Sequence, residues 1–377
     1  MKEGRSRSEM PAKVCVNLCR LVLGLVFVFS GIVKAIDPVG TQIKLEDYLI
    51  AFGAGDLFLD STLLIFACIL AGMEFLLGVY MTMGVFVRGT SLLLLVAMCV
   101  LTPFTLFTAL KNPVEDCGCF GDALILTNWQ TFSKNVFLLA VAVYVFVRKK
   151  YIVPMVSDRR QWIVTLVTVV IGVRFMVGNI NSLPVIDFRP YRIGTDLHEG
   201  IVERRNPKMM DFFILDNDLN DLTEQIIDAP GYTFLFVSNH LETIDMSSQD
   251  LLDNLYEYCT AYGYPLYGLT SSGSYAVREW QEKTGNDMEF LHADEIPLKT
   301  AVRSNPGLLL LKDGVLINKW SGRKMPSEKV LSDSLDRIQV GQMPDRGFDH
   351  TPLGVALLFI VPLLMVVLID VIKKRIQ

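Results

Sequence analysis

Residues 14–35 read VCVNLCRLVLGLVFVFSGIVKA. A helix rises 1.5 Å per residue and needs about 20 predominantly apolar residues to cross a bilayer. This run has that length, and so do 61–81, 89–110, 129–147 and 352–372. A sixth run, 161–178, is weaker because Arg174 interrupts it near one end. The composition agrees: 51% of the 377 residues are hydrophobic and the mean hydropathy is +0.39. Soluble domains rarely reach such averages. Lys2, Arg5, Arg7 and Lys13 precede the first run as in a secretory signal. The run exceeds a signal core and lacks an A-x-A-like site, so it reads as an uncleaved first span.

Charge divides the chain. Residues 181–350 carry 16 Lys+Arg and 27 Asp+Glu, a net of −11, against −5 for the whole. That segment is an acidic, water-facing domain, and its charge repels nucleic acid. Orientation follows from short basic flanks. The N-terminal tail, Arg88, Arg148-Lys149-Lys150 with Arg159-Arg160, and Lys373-Lys374-Arg375 all fall on one face if there are six spans. Both termini are therefore expected in the cytoplasm and residues 179–350 outside, with Arg174 snorkelling to the outer interface. Asp37-Pro38 and Asn112-Pro113 mark the expected starts of outer loops. Pro362 is expected to kink the last span.

Ionisable residues inside spans point to function. Counted from the helix ends, Glu74 lies roughly 20 Å deep and Arg20 roughly 22 Å deep. They are expected to form an ion pair between antiparallel neighbours, or to line a site for a polar headgroup such as a quinone ring. Of seven cysteines, Cys15, Cys19, Cys68 and Cys99 lie in apolar runs and are expected to be small buried hydrophobes. Cys117 and Cys119 stand in the outer loop Glu115-Asp116-Cys117-Gly118-Cys119-Phe120-Gly121-Asp122. Two cysteines one residue apart close only a small, strained ring, and such disulfides are labile and oxidising. Redox exchange, a structural disulfide or turn, and metal binding are the three readings. His198, His240, His292 and His350 are far away in sequence and no second cysteine pair completes four ligands, so no metal is assigned. The carboxylates of Glu115, Asp116 and Asp122 are expected to raise both thiol pKa values.

Ser30-Gly31-Ile32-Val33-Lys34-Ala35-Ile36-Asp37-Pro38 resembles the S-G-x-x-K-x-x-D-P signature of DoxX-type membrane proteins. With Glu74 and Cys117-Gly118-Cys119-Phe120-Gly121, residues 14–150 resemble the MauE branch of that superfamily. The resemblance implies a four-helix bundle and membrane-bound redox support. MauE proteins assist disulfide formation during methylamine dehydrogenase maturation, and DoxX relatives include a thiosulfate:quinone oxidoreductase subunit.

Residues 181–350 alternate strand-like and helix-like patterns, as an α/β domain does. Residues 233–237 and 265–269 read as strands, 246–262 as a helix, and 307–311 with 315–317 as a hairpin across Lys312-Asp313-Gly314. The order resembles a TlpA-type thioredoxin-like domain, with Pro306 at the family's cis-proline position. Where that family carries C-x-x-C, this chain reads Ser238-Asn239-His240-Leu241-Glu242-Thr243. Cys259 is expected in the core and His240 as a solvated loop residue.

The expectation is a multi-pass helical membrane protein of the bacterial inner membrane. It has a four-helix domain (14–150), a fifth span (161–178), a periplasmic thioredoxin-like domain without C-x-x-C (181–350) and a sixth span (352–372). Cys117 and Cys119 are the candidate exchanging pair, with a quinone as candidate acceptor and periplasmic proteins as clients. The alternative is a non-enzymatic assembly or partner-binding protein in which the cysteine pair is structural.

Overall fold

The structure is a computed structural model that describes residues 2–114, 116–345 and 347–376. Glu115, grouped above with the loop carboxylates, lies outside the described residues. The chain forms two compact units, Met1–Ile180 with Phe348–Gln377, and Asn181–Gly347.

The first unit is built from α1 (Lys2–Ile36), α2 (Pro38–Ala51), α3 (Asp60–Met83), α4 (Val87–Lys111), α5 (Asn128–Arg148), α6 (Gln161–Asn181) and, from the chain's end, a C-terminal helix, Pro352–Ile376. Among the described residues six helices are long and apolar enough to cross a membrane, including the weak sixth run, which spans Asp158–Asn181. These helices support a multi-pass membrane protein. The last helix runs unbroken from Pro352 to Ile376 with Pro362 inside it.

Glycines bring α1 and α3 together. A Cβ added at Gly31 would fall 2.4 Å from the Phe75 nitrogen, and one at Gly78 2.4 Å from the Val28 nitrogen. One at Gly24 would lie 2.3 Å from Thr82 Oγ1. Backbones approach this closely only through small residues, a common device where lipid removes the hydrophobic drive for helix pairing. The three contacts fix one antiparallel register along the whole interface.

Asp37-Pro38 opens a helix and not the expected loop. The Asp37 side chain accepts a hydrogen bond from the Gly40 nitrogen at 2.8 Å, and Pro38 occupies the first turn. That is N-cap and N1 chemistry. Between α4 and α5 runs a polar seam in which Asn135 Nδ2 donates to Thr105 Oγ1 at 3.2 Å. Asn128 Nδ2 donates to Asn112 Oδ1 at 2.7 Å and to the Val114 carbonyl at 2.9 Å, clamping the mouth of the 112–127 loop.

Cys15 and Cys99 lie exposed, and Cys19 and Cys68 half-buried, where the sequence suggested core positions. In a bilayer the outer helix face is itself in an apolar solvent, so a small apolar side chain gains little by turning inward. Near the opposite end of the bundle, fully buried Asp370 receives Arg160 Nε at 2.9 Å and Lys374 Nζ at 2.8 Å. Ser157 also donates to it. This pins the end of the last helix beside the start of α6.

The second unit holds α7 (Thr223–Ile227), β1 (Tyr232–Ser238), α8 (Gln249–Tyr262), β2 (Leu266–Thr270), α9 (Ser274–Thr284), β3 (Glu289–His292), α10 (Glu295–Ala301), β4 (Gly307–Lys312) and β5 (Val315–Ser321). In chain order the helix Pro352–Ile376 is α11. The sheet order is β3-β2-β1-β4-β5, with β1, β2 and β3 parallel and β4 and β5 antiparallel to their neighbours. Every residue of β1 is buried, as a central strand covered on both faces must be. Leu235 and Val237 face a core with Ile214, Ile226 and Leu298, while Phe234 and Phe236 face Leu252, Cys259 and Trp280. Positive φ at Asp313 (49°) and Gly314 (80°) makes the tight β4–β5 turn. The short edge strand β3 was not read from the sequence. Lys319 is a buried cation on β5 whose ammonium meets Asp187 and the Tyr191 and Ala301 carbonyls, at 2.8 and 2.9 Å for the carbonyls.

Candidate functional site

The α1–α3 register decides which charges meet. With 31 facing 75, Glu74 on α3 is level with residue 32 and stands between Ser30 and Lys34 on α1. Lys34 Nζ lies 2.8 Å from Glu74 Oε2 and 2.7 Å from Ser30 Oγ. Lys34 is 6% exposed and Glu74 15%. The predicted Arg20–Glu74 pair is therefore corrected to Lys34–Glu74. The depth count failed because α2 continues past the end of α1, so α3 begins farther out than α1 ends. In the actual register Arg20 is level with about residue 86, roughly 18 Å along the axis from Glu74. Arg20 is 4% exposed, and its Nη1 points at Gly84, the left-handed cap of α3. Among the described residues its Nε and Nη1 meet no hydrogen-bond acceptor. The negative end of the α3 dipole is what such a cation finds there.

The cysteine loop folds onto the same cluster. The Cys119 carbonyl accepts from Lys34 Nζ at 2.7 Å and lies 2.7 Å from Ser30 Oγ. Ser30 Oγ is also 2.7 Å from Glu74 Oε2, and its single proton serves one of the two acceptors at a time. Helix α2 holds the other side of the turn. Tyr48 donates to the Cys117 carbonyl at 3.4 Å, and Lys44 pairs with Asp116 Oδ2 at 3.2 Å. Asp116 Oδ1 accepts from the Gly118 nitrogen at 2.8 Å. Gly118 takes φ +63°, a conformation that side chains disfavour, and faces the Lys44 stem. Phe120 is buried, with Phe29 edge-on at 5.2 Å and the Lys134 ammonium 4.2 Å from its centroid.

The result is a half-buried dithiol whose sulfurs are 3.1 Å apart. The hydrogen bond between the two sulfurs, against the cost of burial and with help from the Lys134 and Lys34 charges, brings the Cys119 thiol down to about 6. The same contact, reinforced by burial, pushes Cys117 up. This corrects the expectation that both thiols are raised by neighbouring carboxylates. Asp116 is engaged by Lys44 and a backbone N–H, while the charges that lower Cys119 are ammoniums. One sulfur is thus readied as a thiolate and its neighbour kept as a thiol, the asymmetry that thiol–disulfide exchange uses.

Residues 12–148 match the family model described as methylamine utilisation protein MauE. That stretch contains α1 from residue 12 onward, all of α2 to α5 and the whole cluster just described. No curated protein and no solved structure matches the chain.

Reading the sequence for sites missed Ser30, Lys34, Tyr48 and Lys134. A usable signal was present for two of them: Ser30 and Lys34 are four apart on one helix face, and a lysine inside a span demands a buried anion. In the second unit the Asn305-Pro306 peptide is cis, and Ser238 Oγ donates to Asn305 Oδ1 at 2.8 Å. His240 is half-buried, and its Nε2 lies 3.0 Å from Glu295 Oε1. Cys259 is buried, and burial pushes its thiol up to about 12, which leaves it inert. Among the described residues no group of three or more His, Cys, Asp or Glu side chains could hold a metal ion.

Proposed function

We propose that this chain is a bacterial inner-membrane accessory protein that exchanges thiols and disulfides at the outer face through Cys117 and Cys119. Unit Asn181–Gly347 serves as a thioredoxin-like module that lacks its own dithiol and holds clients. The observation that carries the reading is the sulfur pair, 3.1 Å apart, with Cys119 favoured as thiolate. A low thiol pKa stabilises the reduced pair and so makes its disulfide oxidising. In the working direction a client's two thiols become a disulfide, the Cys117–Cys119 bond breaks, and the pair takes up the two electrons. A membrane quinone then accepts those electrons with two protons and becomes a quinol. The match to a methylamine utilisation protein supports an accessory role in maturing a periplasmic redox enzyme. The pinning of the last helix to the start of α6 supports placing both termini in the cytoplasm and residues 179–350 in the periplasm.

Trapping with a mass-tagged maleimide in intact cells tests the reading. The pair should be mainly disulfide-bonded in aerobic cells and become reduced when the quinone pool is depleted. A specific observation favours a second reading, in which the loop is a structural staple for an assembly factor. Both cysteine carbonyls are held by side chains of other helices. An oxidation state that ignores the quinone pool, in a chain whose Cys117→Ser/Cys119→Ser form still functions, would select that second reading.

A further inference from the structure

Lys34 and Lys134 both act on the sulfur pair of the cysteine loop, and the structure uses them differently. Lys34 donates to Ser30, Glu74 and the Cys119 carbonyl, which occupies all three of its hydrogens. Glu74, 2.8 Å away, cancels much of its field. Lys134 stands six residues into α5, about 9 Å along the axis. Its ammonium is held over the face of Phe120, 4.2 Å from the centroid, and Phe120 is next to Cys119 in the chain. The ring is itself fixed by burial and by the edge of Phe29 at 5.2 Å. A cation held on an aromatic face costs the fold little to remove, so its placement on the residue next to Cys119 invites a role other than packing.

We infer that Lys134, pinned over Phe120, is a positioning residue whose charge biases the Cys117–Cys119 pair toward its reduced form and thereby makes the disulfide a stronger oxidant. The inference rests on the thiol–disulfide reading above. Lys134 lowers both thiols, whereas Lys34 acts on Cys119. In the reduced pair the Cys119 thiolate balances the Lys134 ammonium. Closing the disulfide removes that negative charge and leaves the ammonium in a half-buried setting, which disfavours closure.

The test is the equilibrium of the purified full chain with glutathione: Cys117–SH + Cys119–S⁻ + GSSG gives the Cys117–Cys119 disulfide + GSH + GS⁻. The ratio is read by alkylation and mass spectrometry of the loop peptide, which separates this pair from the other five cysteines. Lys134→Gln should shift the constant about tenfold toward the disulfide, about 30 mV for this two-electron couple. It should also flatten the pH dependence of the midpoint around pH 6. Lys134→Arg, which keeps the charge on the ring, should stay within about twofold of the native chain. Phe120→Leu keeps the charge and frees the ammonium, so it should give an intermediate shift, and it decides the matter if Lys134→Gln fails to accumulate. A native pair that titrates normally while Lys134→Gln or Phe120→Leu titrates with it would overturn the role of Lys134. A native pair that forms no disulfide at any glutathione ratio would instead sink the redox reading itself.

Discussion

Replacing Glu74 by alanine leaves the Lys34 ammonium, 6% exposed, with only the neutral acceptors Ser30 Oγ and the Cys119 carbonyl. Breaking a buried ion pair by removing one partner costs about 3–5 kcal/mol, whereas removing both is often near neutral. Glu74 is 15% exposed, so the lower end applies, about 3 kcal/mol or roughly 150-fold in the folded population. Lys34→Met alone should cost a similar amount, because Glu74 is then the stranded charge. The double variant Glu74→Ala/Lys34→Met should cost at least about 3 kcal/mol less than the sum of the two single variants, the signature of a coupled pair. The cycle is measured by denaturant unfolding of the purified chain, with abundance in membranes as a second readout. Glu74→Ala combined with Arg20→Leu serves as the control and should be additive to within about 0.5 kcal/mol, since the two side chains are far apart. Additivity for Lys34 with coupling for Arg20 would refute the α1–α3 register on which the site rests.

Alkylation of Cys119 should be flat above about pH 6 and fall about tenfold per pH unit below it, because the thiolate is the reacting species. Cys117→Ala removes the sulfur contact that favours the thiolate, so the half-point should move up; an unchanged half-point shows that the contact does not set it. For topology, a reporter fused at the C-terminus should be active only in the cytoplasm and one inserted near Gly231 only outside. Cytoplasmic activity at both positions would show that 161–178 does not cross.

The spans were legible because the constraint is crude: about 20 apolar residues, and nothing else does. The β1 strand and the β4–β5 hairpin were legible for similar reasons, a continuous apolar run in one and an Asp-Gly turn in the other. The Glu74 partner was not legible from depth alone, because depth counting assumes flush helix ends and α2 displaces them. Asp37-Pro38 was read as a loop signal although aspartate before proline is equally the start of a helix. Lys34 stood inside the quoted Ser30-to-Pro38 signature and was treated as a label, when its charge within a span already required an anion. Lys134 carries no local pattern at all. Its role depends on a ring brought over from another segment, and such long-range pairings do not show in periodicity.

The polar cluster also limits what the site can do. Lys34 has no donor left for an incoming molecule, and the Glu74 oxygen that faces α1 is occupied by Lys34 and Ser30. A buried pair so committed anchors the loop and offers little to a substrate. Asp116 is likewise engaged by Lys44 and Gly118. The two sulfurs face each other at the turn, with the Tyr48 hydroxyl against Cys117 and the carbonyls fixed from two sides by α1 and α2. Fixing the backbone on both sides while leaving the sulfurs within reach of each other limits the motion of the turn to side-chain rotation. A 3.1 Å separation needs only a small rotation to reach the bond length of about 2.05 Å. On the thiol–disulfide proposal the chemistry falls to Cys117 and Cys119, with Lys34 and Glu74 as the frame that holds the turn between them.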